Sequence, residues 1–211
     1  MFQRMISTLA VALVAFAAAS SAQAQTAPDA MIKQVSNEVI DTVKADKAIQ
    51  AGDIGKVQAL VDAKVMPHVN FQRMTGAAVG RYWKQATPEQ QKRLQDEFKT
   101  LLVRTYAGAL SQVKENTTVN LKPLRSAPED TEVVVKTEIK TKGEPVQIDY
   151  RLEKQATEWK IYDVNVLGVW LVDQYRNSFA QEIGASGIDG LIAKLVEKNK
   201  AAATPASGAK G

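Results

Sequence analysis

The 211-residue chain contains no cysteine and only one histidine, His68. The lack of cysteine excludes disulfides, thiolate metal ligands, a cysteine nucleophile and a lipid anchor on an N-terminal cysteine. A single histidine excludes a metal centre built from several histidines of one chain. The sequence also lacks a G-x-S-x-G turn and a glycine-rich phosphate loop. We therefore expect no metal site and no catalytic residue, and we expect His68 to be structural or to line an entrance.

Charged residues are too evenly spread to indicate a nucleic-acid partner. The net charge is +4 at pH 7, from 27 basic and 23 acidic residues. This mild excess suits brief encounters with anionic membrane surfaces or with acidic partner surfaces. Basic residues on or beside the third predicted helix have two interpretations, a solvated helix face or a rim for a phosphate headgroup or an acidic partner. They are Arg81, Lys84, Lys92, Arg93, Lys99 and Arg104.

The chain is predicted to hold one domain between two segments outside its fold. Residues 1–24 have a positive start, an uncharged apolar run and an A-x-A ending, which predicts a secretory signal peptide cleaved after Ala24. The apolar run is too short to remain as a membrane anchor. Residues 25–199 have the length of about one domain. Residues 200–211 are rich in Ala, Pro, Ser, Gly and Lys and are predicted to be a disordered tail.

Helices are predicted over residues 28–115 and again over residues 168–199. Two short apolar stripes with helical spacing come first. They consist of Ile32, Val35, Val39 and Val43, and of Val57, Leu60, Val61 and Val65. A third helix is expected to begin with Thr87 as its cap, because Pro88 suits the first turn and Gln90 completes a capping box. Its apolar stripe, which runs from Leu94 to Val113, is wider than one packing seam requires.

Residues 117–167 are predicted to form antiparallel strands. In residues 132–141 and 146–153 apolar side chains alternate with charged ones, which is typical of a sheet with one buried face and one wet face. Residues 142–145 suit the hairpin loop between these strands. Residues 117–121, which precede a proline, suit an edge strand.

The last predicted strand, residues 159–166, breaks this alternation around Asp163. Either a β-bulge lies there, or both faces of the strand are covered. Both interpretations favour a cupped sheet. The sequence therefore predicts an α+β fold, in which a curved antiparallel sheet of four to five strands packs against several helices, with an apolar ligand cavity between sheet and helices.

Residues 159–179 are the most informative stretch for function. The strand continues through Gly168 into a helix with apolar residues from Leu171 to Phe179, so that one apolar wall is half strand and half helix. A solid core gives the same pattern and is the simpler interpretation for any single residue. The excess of apolar residues on both the helical and the strand side, however, is typical of an internal ligand cavity.

Four runs in the chain carry a resemblance to a known family. They are Val65–Phe71 followed by Met74 and Thr75, Trp83–Gln90 leading to Phe98–Tyr106, Lys122–Arg125 with the strands around Val133 and Val146, and Trp159–Val166 continuing to Tyr175–Phe179. In this order, behind a predicted signal peptide, they resemble the MlaC or toluene-tolerance family of periplasmic phospholipid carriers in the Mla lipid-asymmetry pathway. The resemblance covers about residues 29–199.

This resemblance implies a protein without catalytic residues or cofactors that carries phospholipid as cargo, with the acyl chains between sheet and helices and the headgroup at the mouth. It implies docking to an outer-membrane lipoprotein–porin complex and to an inner-membrane ABC transporter complex. We expect a monomeric periplasmic carrier that shuttles glycerophospholipids between these complexes and maintains outer-membrane lipid asymmetry. The expected lipid-binding residues are Phe71, Met74, Trp83, Phe98, Leu101, Leu102, Tyr106, Tyr150, Val164, Val166, Leu171, Val172, Tyr175 and Phe179.

Three other functions remain open from the residues alone. The cargo could be a hopanoid or another rigid polycyclic lipid. The chain could be a hydrolase or isomerase of an apolar substrate that uses His68 or Asp163 as a base. It could also be an adaptor that binds no ligand at all.

Overall fold

A computed structural model describes residues 26–127, 129–156 and 158–201. The predicted signal peptide, residues 1–24, therefore lies outside the described residues, as do residues 202–211 of the predicted tail. The last helix continues through Lys200 to Ala201, just beyond the predicted end of the domain.

Helices flank the strands in the chain, as the apolar periodicity predicts. They are α1 (Pro28–Ala45), α2 (Lys47–Gln50), α3 (Ile54–Leu60), α4 (Phe71–Val79), α5 (Pro88–Tyr106) and α6 (Leu171–Ala201). A π-helix (Val61–Val65) and a 3₁₀ turn (Met66–His68) follow α3, and 3₁₀ turns Gly80–Gln85 and Ala107–Gln112 follow α4 and α5. Within the described residues, no helix combines the length and the hydrophobicity that crossing a bilayer requires.

Local sequence signals set the helix ends. The capping box of α5 is confirmed, because the Thr87 hydroxyl accepts the Gln90 N–H at 3.2 Å and the Gln90 carboxamide accepts the Thr87 N–H at 3.0 Å. Gly52 follows α2 with a φ of 83°, a conformation that glycine adopts at little cost. Gly187, with a φ of 75°, divides α6 into two helical segments.

Among the described residues five strands form one antiparallel sheet in the order β1-β2-β3-β4-β5. They are β1 (Thr118–Leu121), β2 (Glu132–Lys140), β3 (Val146–Gln155), β4 (Glu158–Val166) and β5 (Val169–Trp170). The edge position predicted for residues 117–121 is confirmed, as is the α+β class. A tight turn at Leu167 and Gly168, both with positive φ, joins β4 to the two-residue strand β5 and exposes Leu167.

The change of phase in β4 is a β-bulge. Leu152 pairs with Ile161 and Arg151 pairs with Asp163, so Tyr162 is the extra residue on β4. Because of the bulge, the apolar residues of β4 that precede Tyr162 and those that follow it lie on the same face of the sheet. Without the extra residue, the second half of the strand would turn its apolar side chains away from the helices.

The core is divided into three clusters of buried residues. The first joins α4, α5 and α6 around Phe98. The second joins α1, α2, α3 and the end of α5 around Val43. The third packs the start of α1 on the inner face of the sheet around Leu152. The candidate site lies at the boundaries between these clusters, because the cavity linings draw residues from more than one of them.

A charged cluster ties the start of α4 to three strands. Arg73 donates to Glu153 and, at 2.6 Å, to Glu132, and its guanidinium lies 3.6 Å from the ring centroid of Tyr162. The Asn70 side chain also donates to Glu153 at 2.6 Å. Glu132 and Glu153 are directly opposite each other on β2 and β3, where like charges repel. Arg73 therefore offsets a repulsion that the sheet itself creates.

The hydrogen bond from Arg73 lowers the pKa of Glu132 below its ordinary value. Partial burial acts to raise the pKa of Glu153, but hydrogen bonds from Asn70, Arg73 and Gln155 outweigh burial and hold that pKa low. A carboxylate whose pKa falls on folding stabilises the fold above its unfolded pKa of about 4.3, and this contribution is lost as the pH falls through the folded value.

We predict that Arg73→Met lowers the free energy of unfolding by about 1–2 kcal/mol at pH 7, because two carboxylates lose a charged hydrogen-bond donor. The difference from the unsubstituted protein should shrink in acid, as the pH falls from the ordinary glutamate pKa of about 4.3 through the lowered folded values, because protonated carboxyl groups no longer pair with Arg73. Urea unfolding at the two pH values measures both quantities. Arg93→Met, which removes a 59% exposed side chain with a 3.6 Å ion pair, is the control and should cost little at either pH. An equal loss at pH 7 and in acid would contradict this account.

Candidate ligand-binding site

Two apolar cavities lie side by side between the sheet and the helices. The first, here the sheet-side cavity, has a volume of about 280 Å³ and lies between α1, the turn after α5 and the inner face of the sheet. Its lining consists of Ile32, Val35, Ser36, Val39, Ile40, Val65, Ala109, Leu110, Gln112, Val113, Ile139, Thr141, Val146, Ile148, Tyr150 and Ile161. None of these side chains carries a charge at neutral pH.

The second, here the helix-side cavity, has a volume of about 230 Å³ and lies between α3 with its π-helix, α4, α5 and β4. Its lining consists of Val57, Val61, Val65, Met66, Val69, Phe71, Met74, Lys99, Leu102, Val103, Tyr106, Ala107, Leu110, Val164 and Leu171. Lys99 is the one charged side chain in the lining of either cavity.

Val65 and Leu110 line both cavities, so they separate the two spaces. Val65 is the last residue of the π-helix, and Leu110 lies in the 3₁₀ turn after α5. Both elements depart from regular α-helix at the point where the cavities meet. Wider or tighter helical turns shift side chains off the regular α-helical spacing, which is consistent with the position of these two residues between the cavities.

Half of the residues expected from the sequence line these cavities. Tyr150 lines the sheet-side cavity. The helix-side cavity takes six more, namely Phe71, Met74, Leu102, Tyr106, Val164 and Leu171. Burial raises the pKa of both Tyr150 and Tyr106, so these phenols remain neutral in the walls.

The other expected residues lie outside both cavity linings. Phe98 packs against Phe71, Tyr175 and Phe179 with ring centroids 4.9–5.8 Å apart, and Tyr175, Phe179 and Leu101 also line a more polar pocket between α5 and α6. Val172 is buried in the same core. The remaining residues, Trp83, Leu101 and Val166, are half-buried, and Trp83 lies so close to Gly76 that a Cβ there would be 3.2 Å from its ring.

Residues of α1 and of the turn after α5 are among the lining residues that the sequence analysis did not predict as ligand contacts. Val39, Leu110 and Val113 were identified as apolar helix positions but not as ligand contacts. What indicated a ligand contact at these positions was the width of the apolar stripes, which is greater than a single packing face requires. Ser36 and Gln112 gave no signal, because polar residues on a helix usually face solvent.

His68 and Asp163, the candidate bases, lie outside the linings of both apolar cavities. His68 lies in a 3₁₀ turn, and within the described ranges its side chain forms no hydrogen bond. Asp163 is fully buried, and it accepts hydrogen bonds from the N–H groups of Val164 and Val172 and from Arg151, at 2.9, 3.1 and 2.9 Å. Burial raises the pKa of Asp163, and these three donors oppose that effect.

The bonds of Asp163 join β4 to the start of α6. The Arg151 guanidinium, which donates to Asp163, also lies 3.9 Å from the ring centroid of Trp170 in β5. Asp163 lines neither cavity. Its carboxylate therefore fixes the junction between the sheet and α6. Across residues 26–127, 129–156 and 158–201, no three His, Cys, Asp or Glu side chains come together as a metal site.

The fold and the paired cavities define an α+β protein with an interior suited to apolar ligands. The chain belongs to the MlaC protein family, whose model matches residues 33–197. The Haemophilus influenzae intermembrane phospholipid transport system binding protein MlaC is 23% identical over 191 residues, which is 89% of each chain. The Pseudomonas putida toluene tolerance protein ttg2D is 26% identical over 201 residues, which is 92% of each chain.

The fold is also similar to a solved structure. A phospholipid-binding protein from Ralstonia solanacearum, whose structure contains a phospholipid, superposes with a TM-score of 0.80. It is 47% identical to the present chain, and the match covers 83% of this chain and 98% of that one.

We predict that Asp163→Ala lowers the free energy of unfolding by about 3–5 kcal/mol, because Arg151 and two backbone N–H groups lose their buried partner. Asp173→Ala removes a neighbouring carboxylate that is 53% exposed, and it should cost about 0.5 kcal/mol or less. Denaturant unfolding of both variants measures the difference. Similar losses in the two variants would show that Asp163 does not hold the junction.

Proposed function

We propose that this protein is a periplasmic carrier of glycerophospholipids that shuttles them between an outer-membrane lipoprotein–porin complex and an inner-membrane ABC transporter complex. The observation that carries the proposal is the pair of adjacent apolar cavities between sheet and helices. The names of the relatives support it, because one is a phospholipid-transport binding protein and a solved relative holds a phospholipid. The signal peptide predicted from the sequence supports the compartment.

The energetics of lipid transfer require an interior of this kind. Each methylene exposed to water costs about 0.8 kcal/mol, so a diacyl lipid with roughly thirty methylenes faces a cost on the order of 20 kcal/mol on leaving a bilayer. Hydrogen bonds to a headgroup, at about 1 kcal/mol each, cannot supply this energy. A carrier must replace the hydrocarbon environment, and such contacts discriminate weakly between acyl chains.

Two adjacent cavities divided by Val65 and Leu110 suit a cargo with two flexible chains. A rigid polycyclic lipid would instead require one broad space without a partition. No catalysis is part of the proposal, because Asp163 is occupied by three donors and His68 has no hydrogen-bonded partner among the described residues.

Surface features agree with brief encounters at membranes and partner complexes. Leu167 is 68% exposed and Val169 is 49% exposed, at the turn next to Leu171 of the helix-side cavity. Arg81 and Lys84 are exposed on the turn between α4 and α5. These are groups that can contact lipid tails and anionic or acidic surfaces. We propose that a monomer makes such contacts while it loads and releases cargo.

Native mass spectrometry of the purified mature protein tests the proposed cargo. We expect a protein monomer with bound diacyl glycerophospholipid, identified after extraction. Detection of a polycyclic triterpenoid without diacyl lipid would show that the cargo is a polycyclic lipid, the second cargo considered above, and not a phospholipid. A protein that never binds lipid, even after incubation with phospholipid vesicles, would indicate an adaptor and overturn the proposal.

Leu101 and Leu102 provide a matched test of the cavity wall. Both are half-buried on α5, but only Leu102 lines one of the two apolar cavities. We predict that Leu102→Asp lowers phospholipid occupancy at least about tenfold, because the charge has no partner in an apolar wall. Leu101→Asp should destabilise the fold similarly and leave the occupancy of the folded protein near normal. Lipid extraction from equal amounts of folded protein measures both, and equal occupancies would place the hydrocarbon elsewhere.

A further inference from the structure

Lys99 is the exception in an otherwise uncharged pair of cavities. It lies on α5 on the same side as Leu102, Val103 and Tyr106, which also line the helix-side cavity. Its side chain is 22% exposed. The aliphatic stem therefore forms part of the apolar wall while the ammonium group reaches water, which places the mouth of the helix-side cavity at Lys99.

The ammonium of Lys99 has a partner on the opposite side of this mouth. It donates to Asp62 Oδ1 at 2.7 Å. Asp62 belongs to the π-helix that also supplies Val61 and Val65 to the lining, and its side chain is 46% exposed. The ion pair thus connects α5 to the π-helix at the water-facing edge of the cavity. Asp62 can leave Lys99 and remain hydrated, so this pair can be broken at little cost.

The other basic residues considered as a rim are placed differently. Lys92 and Arg93 pair with acids one turn along α5, and Arg81 lies over the ring of Tyr82. Lys84 is exposed on the turn between α4 and α5. Neither they nor Arg104 line an apolar cavity. A lipid whose chains enter the helix-side cavity would therefore bring its first polar group to Lys99 rather than to these five residues.

We propose that Lys99 binds the phosphate group of the cargo lipid and that the Asp62 carboxylate takes the place of this phosphate when no lipid is bound. Loading then replaces the Asp62 carboxylate by the lipid phosphate on the same ammonium group, so Lys99 has a counter-charge in both states. A phosphate diester at this point receives a charge-assisted hydrogen bond that a lipid without phosphate does not. This inference rests on the proposed phospholipid cargo and adds a selection for phosphate-bearing lipids.

Competition between two lipids with identical acyl chains tests the proposal. Delipidated protein is incubated with vesicles that contain equal amounts of a phosphatidylglycerol and the matching diacylglycerol, and the bound lipids are extracted and counted. We expect the unsubstituted protein to favour the phospholipid by about tenfold and Lys99→Met to lose this preference, because methionine keeps the apolar stem and removes the charge. Asp62→Asn should raise phospholipid occupancy by about two- to fivefold, because the competing anion is gone.

Lys64→Met is the matched control. Lys64 lies in the same π-helix as Asp62, pairs with Glu38 at 3.1 Å and lines neither cavity, so its loss should leave the preference unchanged. A normal preference in Lys99→Met overturns the role of Lys99 while the carrier function stands. Failure of every protein, including the unsubstituted one, to take up either lipid overturns the carrier function itself. Loss of the preference when inorganic phosphate is added in excess would make Lys99 a site for free phosphate and overturn the assignment to lipid.

Discussion

The central physical constraint on this protein is that apolar space must stay open inside a folded domain. Unfilled space lowers stability by about 24 cal/mol for each Å³ of cavity, because the lining atoms lose their packing partners. Here the buried residues form three clusters, and the two cavities lie where these clusters do not meet. Hydrocarbon from a ligand can restore the missing contacts without any change of fold.

Keeping such space open requires walls that are anchored elsewhere. The aromatic cluster around Phe98 packs α4, α5 and α6 together without help from a ligand. Arg73 ties α4 to the strands, and Asp163 ties the start of α6 to β4. These anchors are polar or aromatic, whereas most residues of the cavity walls are aliphatic. This division of roles allows the lining to adjust to cargo while the framework keeps its shape.

The same arrangement limits what the carrier can discriminate. Contacts to aliphatic walls scale with the apolar area that is buried, so they respond to the amount of hydrocarbon and only weakly to its pattern. In the assignment proposed above, selection depends on the polar groups at the mouth, where Lys99 donates to Asp62. An interior of this kind supplies no direction of transport of its own.

The amino-acid sequence by itself determined the elements of this fold. The capping box at Thr87 set the start of α5, the alternation in β2 and β3 set their faces, and the change of phase near Asp163 indicated the bulge. These features depend on neighbours within a few residues. Only the tertiary structure decided which apolar side chains face a cavity. Leu101 and Leu102 are adjacent on α5 and chemically identical, yet a rotation of about 100° puts Leu102 in the wall of the helix-side cavity and Leu101 in the lining of a more polar pocket between α5 and α6. Hydrophobicity requires that both be shielded from water, but which side chains lie opposite each of them depends on elements that are distant in the chain.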